Sequence, residues 1–171
     1  WREIQPLQEG NYTIWREDLA RHGNVVVIPL YFGEVPAEEA LQSFPQSRDN
    51  WIATIGDTLS FATTLKNVRK EKLGLLGFSM GGHLALWRAK STTPPKVNAV
   101  VEFFAPINYP PIFTGIGDNL KNLPNLLIHH GTSDSTVPLE QTMLLRTLLL
   151  AAGKVEGTDF EIITYPGEGH G

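Results

Sequence analysis

A chain of 171 residues with 42% hydrophobic and 19% charged content carries enough apolar material for one soluble globular domain with a sizeable core, and too much for a disordered segment. Its net charge of −4 and the lack of any Lys/Arg block argue against a nucleic-acid or anionic-membrane surface, and no stretch is apolar for long enough to span a bilayer. The absence of cysteine excludes disulfides, thiolate catalysis and cysteine-based zinc sites without fixing the redox compartment. Trp1-Arg2-Glu3-Ile4-Gln5-Pro6 lacks the basic start and apolar core of a signal peptide.

Asn11 is placed to cap a helix over Tyr12–His22, with Gly23 where a left-handed stop is easiest. Asn24 to Leu30 then reads as a buried strand. Asp49 or Asn50 opens a second helix, whose apolar residues Trp51, Ile52, Ile55, Leu59, Ala62 and Leu65 recur at three- and four-residue steps, and Lys66 to Lys72 is its charged exit. Leu73 to Leu76 reads as a strand, and Gly82 to Lys90 has a helical composition. Val97 to Phe104 and Asn125 to His129 are short apolar runs suited to a sheet covered on both faces. Leu139 to Ala152 is an apolar helix closed by Gly153, and Phe160 to Tyr165 is the last strand. With no repeat and no linker-like break, residues 1–171 read as a single α/β domain, its sheet mostly parallel and flanked by helices on both faces.

Gly77-Phe78-Ser79-Met80-Gly81 stands where the second of these strands runs into a helix. A G-x-S-x-G turn there forces the serine into a strained backbone conformation, and the small flanking residues let strand and helix pass closely enough for its hydroxyl to stand clear. The five-residue pattern is weak by itself; its strand–turn–helix setting gives it weight. In open α/β sheets the loops beyond the carboxyl ends of the strands hold the chemistry. Two further such loops carry Asp134, in His130-Gly131-Thr132-Ser133-Asp134, and His170, in Pro166-Gly167-Glu168-Gly169-His170. A serine hydroxyl needs a base to take its proton, imidazole can take and return it, and a carboxylate on the far ring nitrogen fixes the tautomer. The chain order Ser, Asp, His is the one α/β-hydrolases use.

Gly77-Phe78-Ser79-Met80-Gly81-Gly82, His130-Gly131-Thr132-x-Asp134-x-x-Val137-Pro138 and Tyr165-Pro166-Gly167-x-x-His170-Gly171 together resemble the dienelactone hydrolase family of α/β-hydrolases, as does the stretch Asp18 to Pro29. The likeness covers nearly the whole chain. It implies an α/β-hydrolase fold and a cofactor-independent serine hydrolase without a metal, acting on a small-molecule ester or related acyl bond. Ser79 would be the nucleophile, His170 the base and acid, Asp134 its orienting partner and the Met80 backbone N–H one oxyanion donor. The dienelactone-cleaving members use cysteine where this chain has Ser79, so a general serine esterase is the better-matched expectation. The later two motifs also occur in acylaminoacyl and prolyl-oligopeptidase-type peptidases, which form the rival enzyme reading. A non-catalytic α/β-hydrolase-like binding module is the third.

A second oxyanion donor should come from a loop after an earlier strand. No such strand and loop precede Gly10, and in the implied fold the absent strand lies between the Val25 strand and the Ser79 strand. The chain also stops one residue after His170. We therefore expect a piece of a longer hydrolase, its N-terminal strands missing. Other titratable residues read as structural. Glu168 shares the short His170 loop and is poorly placed to orient that ring. His129 and His130 alternate faces of a strand and so do not pair as metal ligands. His83 in its helix is expected to bond a backbone or water partner, and His22 to favour a helix end. Glu102 is a carboxylate in an apolar strand, where a strand-end or partnered position is expected. Specificity is assigned to the loops Tyr31-Phe32-Gly33 and Pro106 to Asn122, where Pro106, Tyr109, Pro110, Pro111, Ile112 and Phe113 fit either an apolar wall or short lid over the site or an ordinary surface loop.

Overall fold

The computed structural model describes residues 11–31, 39, 42–110, 112–113 and 115–171. Four short apolar runs become strands: β1 (Gly74–Phe78), β2 (Ala99–Phe103), β3 (Asn125–Gly131) and β4 (Phe160–Tyr165). They pair in sequence order, all parallel. Parallel neighbours cannot be joined by hairpins, so each return crosses a face of the sheet. The crossings are α3 (Met80–Ala89) between β1 and β2, a long loop with one turn of 3₁₀ helix (Leu120–Asn122) between β2 and β3, and α4 (Glu140–Ala151) between β3 and β4. The register aligns Gly77 with Glu102 and Glu102 with Ile128, and in the next row Phe78 with Phe103 and Phe103 with His129. Successive strand residues point to opposite faces. Glu102, Ile128 and His130 therefore face the α3 side, and Phe78, Phe103 and His129 the other.

On the α3 side, α2 (Phe44–Ala62) packs against α3, and its Phe44, Trp51, Ile55 and Leu59 join Leu84 and Leu86 of α3 and Leu145 and Leu149 of α4 in one buried apolar cluster. Removing this surface from water supplies most of the stabilisation, at about 25 cal/mol per Å². On the opposite side, α1 (Asn11–Arg21) lays Tyr12 against Phe78 and Trp15 against Phe103, with ring centroids 5.4 and 5.3 Å apart. Gly23 ends α1 at φ 82, as its position indicates.

Three expectations from sequence are corrected. Asn24 to Leu30 is not a strand. Among the described residues no chain lies beside it to share a ladder, and Val25 and Leu30 are exposed. Its Val27–Pro29 portion lies instead along Thr54, Thr58 and Phe61 of α2. The second helix opens at Phe44 rather than at Asp49 or Asn50, with Pro45 in its first turn, where a missing N–H costs nothing. Burial of the Phe44 ring against Trp51 and Phe113, at 5.7 and 4.6 Å, rewards the extra turn. It ends at Ala62, leaving Leu65 outside, while the Thr63 and Thr64 hydroxyls donate back to Ser60 and Phe61 carbonyls. The stretch Pro106 to Asn122 forms no lid among the described residues: Ile107, Phe113 and Ile116 are buried in the core, and none of its described residues lines the cleft at Ser79. Pro111, Phe32 and Gly33 lie outside the described residues.

The β1–α3 turn is tight enough that a Cβ on Gly77 would overlap the Gly81 carbonyl, and one on Gly82 would sit 2.9 Å from the Ala105 Cβ. Gly74, in the same strand, has nothing nearer than the Ala99 carbonyl at 3.7 Å. Gly77→Ala is therefore expected to abolish cooperative folding or lower the melting temperature by more than about 10 °C, and Gly74→Ala to shift it by no more than about 3 °C. Thermal melts followed by circular dichroism check the pair.

Candidate active site

Ser79 sits at the N-cap of α3 with φ 51 and ψ −122, a region that L-residues avoid because the Cβ meets the neighbouring carbonyl. Its N–H donates to the Phe103 carbonyl at 2.8 Å, and its own carbonyl accepts from His83 N at 3.2 Å. The serine is thus tied to the adjacent strand end on one side and to the helix on the other. Met80 opens the helix, where backbone N–H groups have no intrahelical acceptor.

Asp134 and His170 reach Ser79 because two loops are laced together. Thr132 N donates to the Tyr165 carbonyl and Ser133 N to the Glu168 carbonyl, each at 2.9 Å, and Gly167 N donates to Thr132 Oγ1 at 2.9 Å. Gly131 permits this approach, since a Cβ there would overlap the Glu168 carbonyl. Asp134 Oδ1 accepts from the N–H groups of Thr136 and Val137 at 2.9 and 2.8 Å, and Oδ2 accepts from His170 Nδ1 at 2.7 Å. A proton on Nδ1 leaves Nε2 as acceptor, and Nε2 lies 3.1 Å from Ser79 Oγ. The Asp134 side chain is fully buried, and burial works to raise its pKa. The Val137 N–H, the His170 ring and the Thr136 N–H outweigh that effect and hold the carboxyl below its ordinary value. The group is a carboxylate when the ring needs one.

The three residues singled out in sequence are therefore brought together in one chain of contacts. Glu168 is not part of it; its backbone carbonyl, not its carboxylate, serves the site. His129 and His130 do face opposite sides. His129 stacks on Phe103 at 4.4 Å and bonds the Tyr165 hydroxyl at 2.8 Å. His130 is buried, its Nε2–H donating to the Val137 carbonyl at 2.8 Å and its Nδ1 accepting from the Thr142 hydroxyl at 2.7 Å. Nε2 also lies 3.5 Å from Asp134 Oδ2, so His130 braces the Asp134 turn against α4, a role visible only once β3 and α4 are side by side. His83 donates from Nδ1 to the Pro106 carbonyl at 2.6 Å, and burial lowers its pKa to about 4. His22 bonds the Asp18 carbonyl at the end of α1. Among the described residues no three His, Asp or Glu side chains stand together as metal ligands, and no helix is long and apolar enough to cross a membrane.

Beside Ser79 and His170 opens a cleft of about 410 Å³, walled by Tyr12, Trp15, Phe78, Phe103 and Phe104. Phe104 has φ 44, its N–H donates to the His129 carbonyl at 2.8 Å, and its ring lies 4.3 Å from that of His170. The strained turn is supported from below by Glu102, whose Oε2 accepts from Ala105 N at 2.8 Å while Oε1 has no partner among the described residues. Glu102, one residue from the end of β2, is thus partnered as expected, through one carboxyl oxygen.

A parallel sheet between helical layers, with a strained serine at a strand-to-helix turn and Asp and His on later strand-end loops, is the α/β-hydrolase fold. Within it, the chain belongs to the dienelactone hydrolase family, whose family model matches residues 3–171. A protein of a Synechocystis strain named "Putative carboxymethylenebutenolidase" is 26% identical over 174 residues, covering 91% of this chain and 67% of that protein. An α/β-hydrolase enzyme from a Medee basin deep-sea metagenome superposes with a TM-score of 0.59 at 24% identity, over 70% of this chain and 50% of its own. The Lactobacillus plantarum carboxylesterase Cest-2923 gives 0.58 at 17% identity, over 70% and 54%. The chain spans about half the length of these solved structures.

Burial pushes the Glu102 pKa from 4.5 up to about 8, against the lowering effect of the Ala105 N–H. Its folded form therefore holds a proton that the unfolded chain releases. The stability from this group is fully present below about pH 4.5 and is lost as pH rises through about 8. Glu102→Gln, uncharged throughout, is expected to gain on the parent by a few kcal/mol (order of magnitude) between pH 5 and pH 9. Urea unfolding at the two pH values measures the change.

Proposed function

We propose that this chain is the catalytic α/β-hydrolase domain of a serine esterase, acting on a small-molecule carboxylic ester. The observation that supports this best is the unbroken contact from Ser79 Oγ to His170 Nε2, and from His170 Nδ1 to the buried Asp134. Ser79 Oγ attacks the ester carbonyl as Nε2 takes its proton, and the Asp134 carboxylate stabilises the imidazolium that results. The tetrahedral oxyanion is met by the Met80 N–H. Collapse breaks the bond to the alcohol, which leaves with the proton from Nε2, and an acyl-serine remains. Water then gives a proton to Nε2 and attacks the acyl carbon. Collapse of the second intermediate returns the proton to Ser79 and frees the acid. A lactone, as a cyclic ester, enters by the same steps, whereas an amide needs protonation of a much poorer leaving group. Membership of the dienelactone hydrolase family favours the ester over the peptide bond.

Steady-state hydrolysis of short-chain esters tests the proposal. Ser79→Ala is expected to lower kcat by at least about 10⁴, and Asp134→Asn by about 10³ to 10⁴ because the imidazole tautomer is then wrong. Retention of more than about a tenth of the activity in Ser79→Ala would remove Ser79 as nucleophile.

A further inference from the structure

We infer that the cleft beside Ser79 is an aryl subsite, built to receive a flat, uncharged aromatic group of the ester between α1 and the ends of β1 and β2. The inference rests on Ser79 being the nucleophile and adds the class of substrate. Phe78 and Phe103 stack face to face at 4.8 Å with an interplanar angle of 22°, so their ring edges form the floor of the cleft across two strands. Trp15 rises from this floor at 59° to Phe103, and Tyr12 stands edge-on at 81° to Phe78. Phe104, against the His170 ring, forms the wall nearest the reacting atoms. The open space of about 410 Å³ is at the small-molecule scale and is continuous with Ser79 and His170.

Two features select an aromatic, uncharged group. Tyr12 and Trp15 remain 55% and 37% exposed although they already contact the floor, so each keeps ring surface available for another ring. Edge-to-face and offset contacts between aromatic groups add to what burial of equal area provides. Among the described residues no Lys, Arg, Asp or Glu lines the cleft, and the neighbouring arginines of α1, Arg16 and Arg21, both pair with Glu17, at 3.9 and 3.4 Å. A carboxylate entering here would shed water without gaining a cation.

Intrinsic reactivity differs between esters, so the test compares ratios. On the full protein, kcat/KM is measured for phenyl acetate against cyclohexyl acetate, where the ring is on the alcohol, and for methyl phenylacetate against methyl cyclohexylacetate, where it is on the acyl side. The same four esters are run with Trp15→Leu and Tyr12→Leu, which keep apolar bulk on α1 but remove the rings. The aryl-to-cyclohexyl ratio is expected to fall by about 3- to 10-fold in each variant for the half of the ester that occupies the cleft, and to stay constant for the other half. A para-carboxylate on the preferred aryl ester is expected to lower kcat/KM at least about 10-fold, with the smaller change in leaving-group reactivity corrected from its rate with hydroxide. Ratios unchanged in both variants for both ester pairs, with wild-type ester turnover intact, would overturn the aryl subsite and leave the esterase reading standing. Failure of the wild-type protein to cleave any of the esters would overturn both.

Discussion

Ser79 is held in a conformation that costs about 1 to 3 kcal/mol, and the rest of the site is arranged around that fact. Three things offset the cost. The Ser79 N–H is bonded to the end of β2, its carbonyl begins the hydrogen-bond ladder of α3, and the glycines at 77 and 82 let the helix lie against the sheet without a clash. Phe104, one strand over, repeats the device: a positive φ, an N–H bonded to the next strand, and the Glu102 carboxyl under the following N–H. Two neighbouring strands thus end in strained turns that aim a hydroxyl and an aromatic ring at the same histidine.

The histidine arrives by a different route. Nothing in the sheet itself fixes the His170 loop; backbone bonds to the turn after β3 do, and Gly131 is what lets the two backbones approach. That turn is fixed in its own right, by the two N–H groups on Asp134 Oδ1 and by His130, which reaches from β3 to both the Val137 carbonyl and Thr142 of α4. Ser79, Asp134 and His170 come from three strand ends; the Asp134 and His170 loops are laced to each other, while Ser79 is held separately by the end of β2 and by α3.

Much of this was legible in the chain because buried parallel strands are nearly continuous apolar runs, and all four strands of the sheet fall where such runs are found. The same signal misled at Asn24 to Leu30, since apolar sequence shows the capacity to pair and not the presence of a neighbour. Pro45 hid the first turn of α2, because proline marks a helix start as readily as a stop. The aromatic loop after β2 has the composition of a wall over the site, but Phe113 and Ile116 are buried in the core. The wall comes instead from Tyr12 and Trp15, whose spacing of three fixes only that they share a helix face. Which cleft that face borders depends on the docking of α1 across β1 and β2, a long-range fact that no local pattern contains.

The account stands or falls on whether Ser79 is made nucleophilic by His170. Covalent labelling of the full protein with a fluorophosphonate, followed by intact mass and peptide mapping over time, tests this without a known substrate. The account predicts a single adduct on Ser79, formed at least about 100-fold more slowly when His170 is replaced by alanine. An adduct on another residue, or a rate at Ser79 that does not depend on His170, would contradict it.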